Sequence, residues 1–231
     1  MKTLIILHGW QSSKEKWQKV KESLEKSGIK VIVPDLPGFK KETELHAPWT
    51  FQEYLDWVKL FIDSQKIQGK FFLLGHSFGG ALAAKYAMEE GPRLGKLFLV
   101  DAACIRGKKS GRKNALEKMS KVLKIFSAVP GYSYFRRKTY ILLGSDYADV
   151  EGVLKETYLN VLKEDLTHQL HQIKNPAVII WGEKDKATPL KRAREINEKI
   201  SGSRLIVMPG VGHSPHIEAP EILSKYISEN L

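Results

Sequence analysis

A chain of 231 residues, 42% hydrophobic and 27% charged, is long enough for one α/β domain with a substantial core and too short for two such domains and a linker. A net charge of +11 could suit nucleic acid, but lysines alternate with glutamates along residues 14–26 as on a solvated helix face. There is no zinc-ligand spacing, aromatic RNA-binding motif or phosphate-binding glycine loop, so neither a nucleic-acid partner nor a metal or cofactor is expected. The single cysteine, Cys104, excludes an internal disulfide, residues 1–7 lack the length and cleavage site of a signal peptide, and no run approaches the roughly 20 apolar residues of a membrane span, so the expectation is a cytoplasmic protein.

Residues 2–7, Lys-Thr-Leu-Ile-Ile-Leu, read as a parallel strand covered on both faces, ending at His8-Gly9-Trp10. A helix is expected over residues 14–26, with Ser12 or Ser13 as its cap and Gly28 as its stop. A second strand over 29–33 closes in the turn Pro34-Asp35-Leu36-Pro37-Gly38. Thr50 and Glu53 have capping-box spacing, opening a helix to about Ser64 with Phe51, Leu55, Val58 and Ile62 on one face.

Next comes the stretch around which the chain is organised. A strand over 70–74 breaks into a helix rich in small residues (Ala81, Ala83, Ala84, Ala87) through Gly75-His76-Ser77-Phe78-Gly79-Gly80. The Gly-x-Ser-x-Gly pattern between strand and helix is a nucleophile elbow: the turn lifts the Ser77 hydroxyl above the sheet, and the glycines allow the two backbones to approach. A fourth strand over 96–100 ends in Asp101, after which the alternation lapses into helical pattern until about residue 174. This predicts a helical cap at residues 102–172 inserted into a core formed by 1–101 and 173–231. Strands over 177–181 and 204–208 follow, Thr188-Pro189 is expected to cap and open the helix between them, and Pro220-Glu221 lies in a closing helix.

A serine hydroxyl needs a base within hydrogen-bond reach and a carboxylate that orients the base. Both follow strands: His213 in the glycine-rich loop Pro209-Gly210-Val211-Gly212-His213, and Asp185 in Gly182-Glu183-Lys184-Asp185. The carboxyl ends of parallel strands share one edge, so Ser77, Asp185 and His213 should converge there. Asp101 also ends a strand and is the rival for the acid, as His216 is for the base. His8, His76 and Phe78 read as packing or pocket-lining residues, Cys104 as a small buried residue, and His168 and His171 as surface residues.

Together with His8-Gly9-Trp10 and Pro34-Asp35-Leu36-Pro37-Gly38, these motifs resemble those of small, capped, esterase-like proteins of the α/β-hydrolase fold, in which the triad runs in the order Ser, Asp, His. The resemblance covers nearly the whole chain and implies a doubly wound, mostly parallel sheet of about six strands, with the family's first two strands missing. It also implies an oxyanion hole from the backbone N–H groups of Trp10 and Phe78. The loop after Gly38 departs from the family, reading Phe39-Lys40-Lys41 where a glycine is common. The implied function is a serine hydrolase acting on a small-molecule ester or thioester. Carbon–carbon bond hydrolysis or cofactor-free peracid formation on the same triad is the alternative, and a small-molecule receptor or pseudoenzyme the alternative from another class. Within the expected cap, Leu116, Met119, Leu123, Phe126, Val129, Tyr132 and Phe135 suit an apolar acyl pocket. Arg106, Lys108, Lys109, Arg112 and Lys113 form a basic stretch that is either a solvated face or an attractor of anionic substrates. Nothing in the pattern speaks to oligomeric state.

Overall fold

The computed structural model describes residues 2–106 and 152–231. Six strands form one fully parallel sheet: β1 (Thr3–Leu7), β2 (Lys30–Ile32), β3 (Phe71–His76), β4 (Leu94–Val100), β5 (Ala177–Gly182) and β6 (Arg204–Met208). Their order is β2-β1-β3-β4-β5-β6, with Leu7 beside Gly75 and His76 beside Val100. Among the described residues no strand lies beyond β2.

The central strands are continuously apolar because alternate side chains enter two different cores. Ile5, Leu7, Leu73, Leu97, Leu99, Ile179 and Trp181 face one cluster, completed by α2 (Phe51–Ser64), α3 (Phe78–Glu89) and α5 (Leu190–Lys199). Leu4, Ile6, Leu74, Phe98, Val100, Val178 and Ile180 face the other, completed by Trp17, α1 (Gln18–Lys26) and α7 (Pro220–Glu229). A short helix α6 (Pro215–Glu218), which the sequence pattern did not signal, precedes α7.

Most local signals hold. Thr50 and Glu53 form the full capping box of α2. The first expected helix is instead a 3-10 turn over Lys14–Trp17 running into α1, and Ser13 makes no side-chain cap. Thr188 does not cap α5 either, since Pro189 takes that position and the threonine hydroxyl has other partners described below.

Of the span expected to be a cap, residues 107–151 lie outside the described part, and with them every apolar and basic cap residue named above except Arg106. The described remainder includes α4 (Gly152–Val161). Ala102, Cys104, Ile105, Val161, Leu166 and Leu170 all join the buried cluster of α2 and α3. Arg106 is turned inward, donating from Nε to the Glu164 carbonyl at 3.1 Å and from its terminal nitrogen to that of Val161 at 3.4 Å. Its side chain thus satisfies backbone carbonyls at and just beyond the C-terminal end of α4.

Candidate active site

The elbow is held by contacts that leave no room for side chains. A β-carbon at Gly75 would lie 2.2 Å from the Gly79 carbonyl oxygen, and one at Gly79 2.2 Å from that of Leu7. Between them Ser77 adopts φ 51 and ψ −116, a left-handed conformation that costs a non-glycine residue about 1–3 kcal/mol. The surrounding backbone enforces it: Ser77 N–H donates to the Val100 carbonyl at 3.1 Å, and the Ser77 carbonyl accepts from Gly80 at 3.0 Å and Ala103 at 2.9 Å.

The serine hydroxyl emerges at the carboxyl edge of the sheet, where the loops after β5 and β6 meet it. A β-carbon at Gly182 would lie 2.0 Å from the Gly212 carbonyl oxygen, so the two loops touch through a glycine. His213 Nε2 lies 3.1 Å from Ser77 Oγ, and His213 Nδ1 lies 2.7 Å from Asp185 Oδ2. An ionised carboxylate only accepts, so Nδ1 carries the ring proton and Nε2 is left to accept one from the serine.

Asp185 is bound as an anion. Its Oδ1 accepts from the N–H groups of Ala187 at 2.8 Å and Thr188 at 2.9 Å, and its Oδ2 from the Thr188 hydroxyl at 2.6 Å. Burial pushes this carboxyl up, but the bonds from His213 and Thr188 outweigh it and hold it below the usual carboxylate range.

The His213 loop is pinned from both sides. Glu218, on α6, accepts from the backbone N–H of Gly212 at 2.7 Å and of Ser214 at 3.0 Å. The carbonyl of His213 itself accepts from His76 Nε2 at 2.7 Å. Burial holds His76 well below the ordinary histidine value, so it is a neutral donor here. His216 stacks on Trp17 at 4.3 Å with both ring nitrogens buried, and burial pushes it down to about 3. It lies apart from the serine contact that His213 makes. His8 accepts from the Leu36 N–H at 2.9 Å and ties the β1 and β2 loops together.

Trp10 and Phe78 come together because β1 and β3 are neighbours, their rings 5.5 Å apart. Phe78 is the first residue of α3, where a helix leaves its N–H groups without internal partners. Neither the Trp10 nor the Phe78 backbone N–H donates to any group among the described residues. Around them Phe39 and Tyr158 pack on the Trp10 ring at 4.8 and 5.1 Å, giving the serine an aromatic wall to which α4 contributes.

Asp101, Asp185 and His213 could each offer one ligand atom within 4.8 Å of the others. Hydrogen bonds already occupy the Asp185 oxygens and the His213 ring nitrogens, so the group is organised around protons. A cleft of about 520 Å³ opens near the opposite edge of the sheet, between Lys70, Pro92, Leu94 and Pro176, away from Ser77.

A model of the alpha/beta hydrolase family matches residues 4–225. The chain belongs to that family. Among its relatives, the AB hydrolase superfamily protein YisY of Bacillus subtilis is 28% identical, over 98% of this chain and 90% of its own length. The pimeloyl-[acyl-carrier protein] methyl ester esterase of Nitrosomonas europaea is 24% identical, over 94% of this chain and 91% of its own. Of the solved structures, the enol-lactonase of Burkholderia xenovorans superposes with a TM-score of 0.73 at 21% identity, covering 99% of this chain and 90% of that one. This alpha/beta hydrolase therefore has hydrolases, esterases and lipases as relatives and is itself a hydrolase. Among the described residues no helix is long and apolar enough to cross a membrane.

Thr188, Glu218 and His76 as supports of the site are what reading the sequence missed. For Thr188 a signal existed, since an aspartate followed closely by threonine can fold back on its own backbone N–H groups. Glu218 and His76 act across the fold, and nothing local marks them.

Proposed function

We propose that this hydrolase cleaves a small carboxylic ester or thioester through an acyl-Ser77 intermediate. His213 is the general base, Asp185 its orienting acid, and the backbone N–H groups of Trp10 and Phe78 are the oxyanion hole. The observation that carries the proposal is His213 lying between Ser77 Oγ at 3.1 Å and Asp185 Oδ2 at 2.7 Å. As Ser77 Oγ attacks the carbonyl carbon, its proton passes to His213 Nε2, and Asp185 stabilises the resulting imidazolium. The tetrahedral oxyanion takes these two N–H groups, which have no acceptor among the described residues and are donors of a kind worth about 3 kcal/mol each. His213 then returns the proton to the departing alcohol or thiol, and water repeats the sequence to release the acid and restore the serine.

Ester chemistry is favoured by relatives named as lipases and a methyl ester esterase. The aromatic wall of Trp10, Phe39 and Tyr158 suits an apolar acyl group. We assign residues 102–172 to a cap over this wall, with Tyr158 and Leu154 among its contacts to the core. Reaction with a fluorophosphonate probe tests the reading: wild-type protein should label at a single serine, and Ser77→Ala should not label and should lose kcat on p-nitrophenyl butyrate by about 10³-fold or more. Wild-type protein that neither labels nor turns over the ester would overturn it.

A further inference from the structure

Asp101 sits at the end of β4, against the loops that carry Asp185 and His213, and the catalytic reading above gives it no task. It is fully buried, with φ 43 in the left-handed region. Its backbone N–H donates to the Ile180 carbonyl at 3.1 Å, and its carbonyl lies 3.1 Å from the Thr188 hydroxyl, whose single proton it shares with Asp185 Oδ2. One side-chain oxygen, Oδ1, accepts the Gly182 N–H at 2.9 Å. The other, Oδ2, is buried with no hydrogen-bond partner among the described residues, and a carboxylate oxygen of Asp101 lies within 4.8 Å of one of Asp185.

Two carboxylates cannot face one another in a buried space without sharing a proton. The donors decide which keeps it. Asp185 receives two backbone N–H groups, a hydroxyl and the His213 ring, all favouring its anion, whereas Asp101 receives a single N–H. We propose that Asp101 is a positioning residue of this site: its carboxyl is protonated, accepts the Gly182 N–H at Oδ1 and donates from Oδ2 to the Asp185 carboxylate. It is thereby a fourth member of the chain from Ser77 through His213 and Asp185, and in this it rests on the proposed catalytic reading.

The charge environment agrees. Burial, and after it the Asp185 charge, push Asp101 up to about 9. The ionisable groups facing it are Asp185 from the β5 loop, His213 from the β6 loop and Glu218 from α6. The rival assignment, Asp101 as the orienting acid itself, requires an ionised carboxylate on His213 Nδ1, a place Asp185 holds at 2.7 Å.

Asparagine can imitate a protonated carboxyl, one acceptor and one donor, and alanine cannot. With p-nitrophenyl butyrate as substrate, Asp101→Ala should lose kcat by roughly tenfold or more, and Asp101→Asn should recover it to within about threefold of wild type. Wild-type kcat should fall as pH rises through about 9, where Asp101 ionises against Asp185, and Asp101→Asn should lack that fall. Loss in Asp101→Asn as deep as in Asp185→Asn would make Asp101 the orienting acid, and an Asp101→Ala variant equal to wild type at every pH would make it a bystander. Either result overturns the proposal.

Thermal melting reads the same proton without any turnover. Folded protein keeps a proton on Asp101 that the unfolded chain releases above about pH 4, so stability should fall with rising pH from about 4 to about 9. Asp101→Asn should remove that slope, and equal slopes in the two proteins would overturn the proposal. An unlabelled wild type that still shows the slope would instead fault the serine-hydrolase reading and leave Asp101 protonated.

Discussion

The elbow at Ser77 and the paired loops carrying Asp185 and His213 meet at one hydroxyl, but different physics holds them there. The elbow is a packing solution, in which β3 and α3 pass so close to each other and to β1 that only glycine fits at 75 and 79, and the strained serine has nowhere else to go. The loops are a hydrogen-bonding solution. Asp185 is oriented by Thr188 and two backbone N–H groups, and the His213 loop by Glu218 and His76, partners drawn from different parts of the chain. Damage to the elbow should therefore appear in stability, and damage to the loops in rate.

Gly79→Ala should have the largest effect. Its methyl group would meet the carbonyl oxygens of Leu7 and His8 at 2.2 and 2.5 Å, at the end of β1, a strand paired on both sides by β2 and β3. Overpacking typically costs 1–3 kcal/mol, and a clash with immobile backbone should cost about 3 or more, a large share of the roughly 5–15 kcal/mol of an ordinary domain. The denaturation midpoint in urea should drop sharply, or the protein should not accumulate in soluble form. A variant that unfolds at the wild-type midpoint would mean that the elbow is plastic and the contrast false.

Asp185→Asn makes the opposite prediction. The Oδ1 contacts to Ala187 and Thr188 can survive, but an amide group now faces His213 Nδ1. The ring is then driven to the tautomer with its proton on Nε2, which cannot accept the serine proton. We expect kcat to fall by about 10³- to 10⁴-fold, with the urea midpoint at neutral pH lowered only by the carboxylate's own share of stability, far less than in Gly79→Ala. Because the folded carboxyl is held below its ordinary range, its contribution to stability is present above the unfolded pKa and lost as pH falls through the folded one. The asparagine variant should lack that part of the acid destabilisation. A rate within tenfold of wild type would remove Asp185 from the orienting role.

This contrast also explains what could be read from the sequence. The elbow was legible because its cause is local: small residues at fixed spacing between an apolar strand and a helix. The sheet was legible for the same reason, since β1 and β5 are unbroken apolar runs. Asp185 and His213 could be proposed from their loops, because all strands of a parallel sheet end on one edge. Asp185 is favoured over Asp101 there because Gly182-Glu183-Lys184-Asp185 resembles the family's usual acid turn, although both follow strands, and in the structure Asp185 Oδ2 lies 2.7 Å from His213 Nδ1. Thr188 was expected to cap a helix because Thr-Pro commonly opens one, yet Pro189 takes the cap and frees the hydroxyl for Asp185. An exposed glutamate such as Glu218 carries no local mark of its two backbone partners.

Glu218 gives the smallest expected effect and the sharpest test of the loop half of the contrast. Its two carboxylate oxygens accept from Gly212 and Ser214, the residues on either side of His213, so one side chain fixes the backbone that aims the imidazole. The group is exposed, and water can take over both N–H groups, so its removal should cost little stability. It should nonetheless widen the range of positions His213 explores relative to Ser77. Small misplacement of a base is costly to rate because proton transfer needs a nearly linear contact. Glu218→Ala should therefore lower kcat about three- to tenfold at nearly constant KM and urea midpoint. Glu218→Gln, which keeps one acceptor and sets its amide against the other N–H, should fall between alanine and wild type. Measuring both variants with p-nitrophenyl butyrate decides the matter. Full activity in Glu218→Ala would show that His76 and the packing of α6 suffice to hold the base, and a fall in midpoint that tracks the fall in rate would show that the loops, like the elbow, are held by packing.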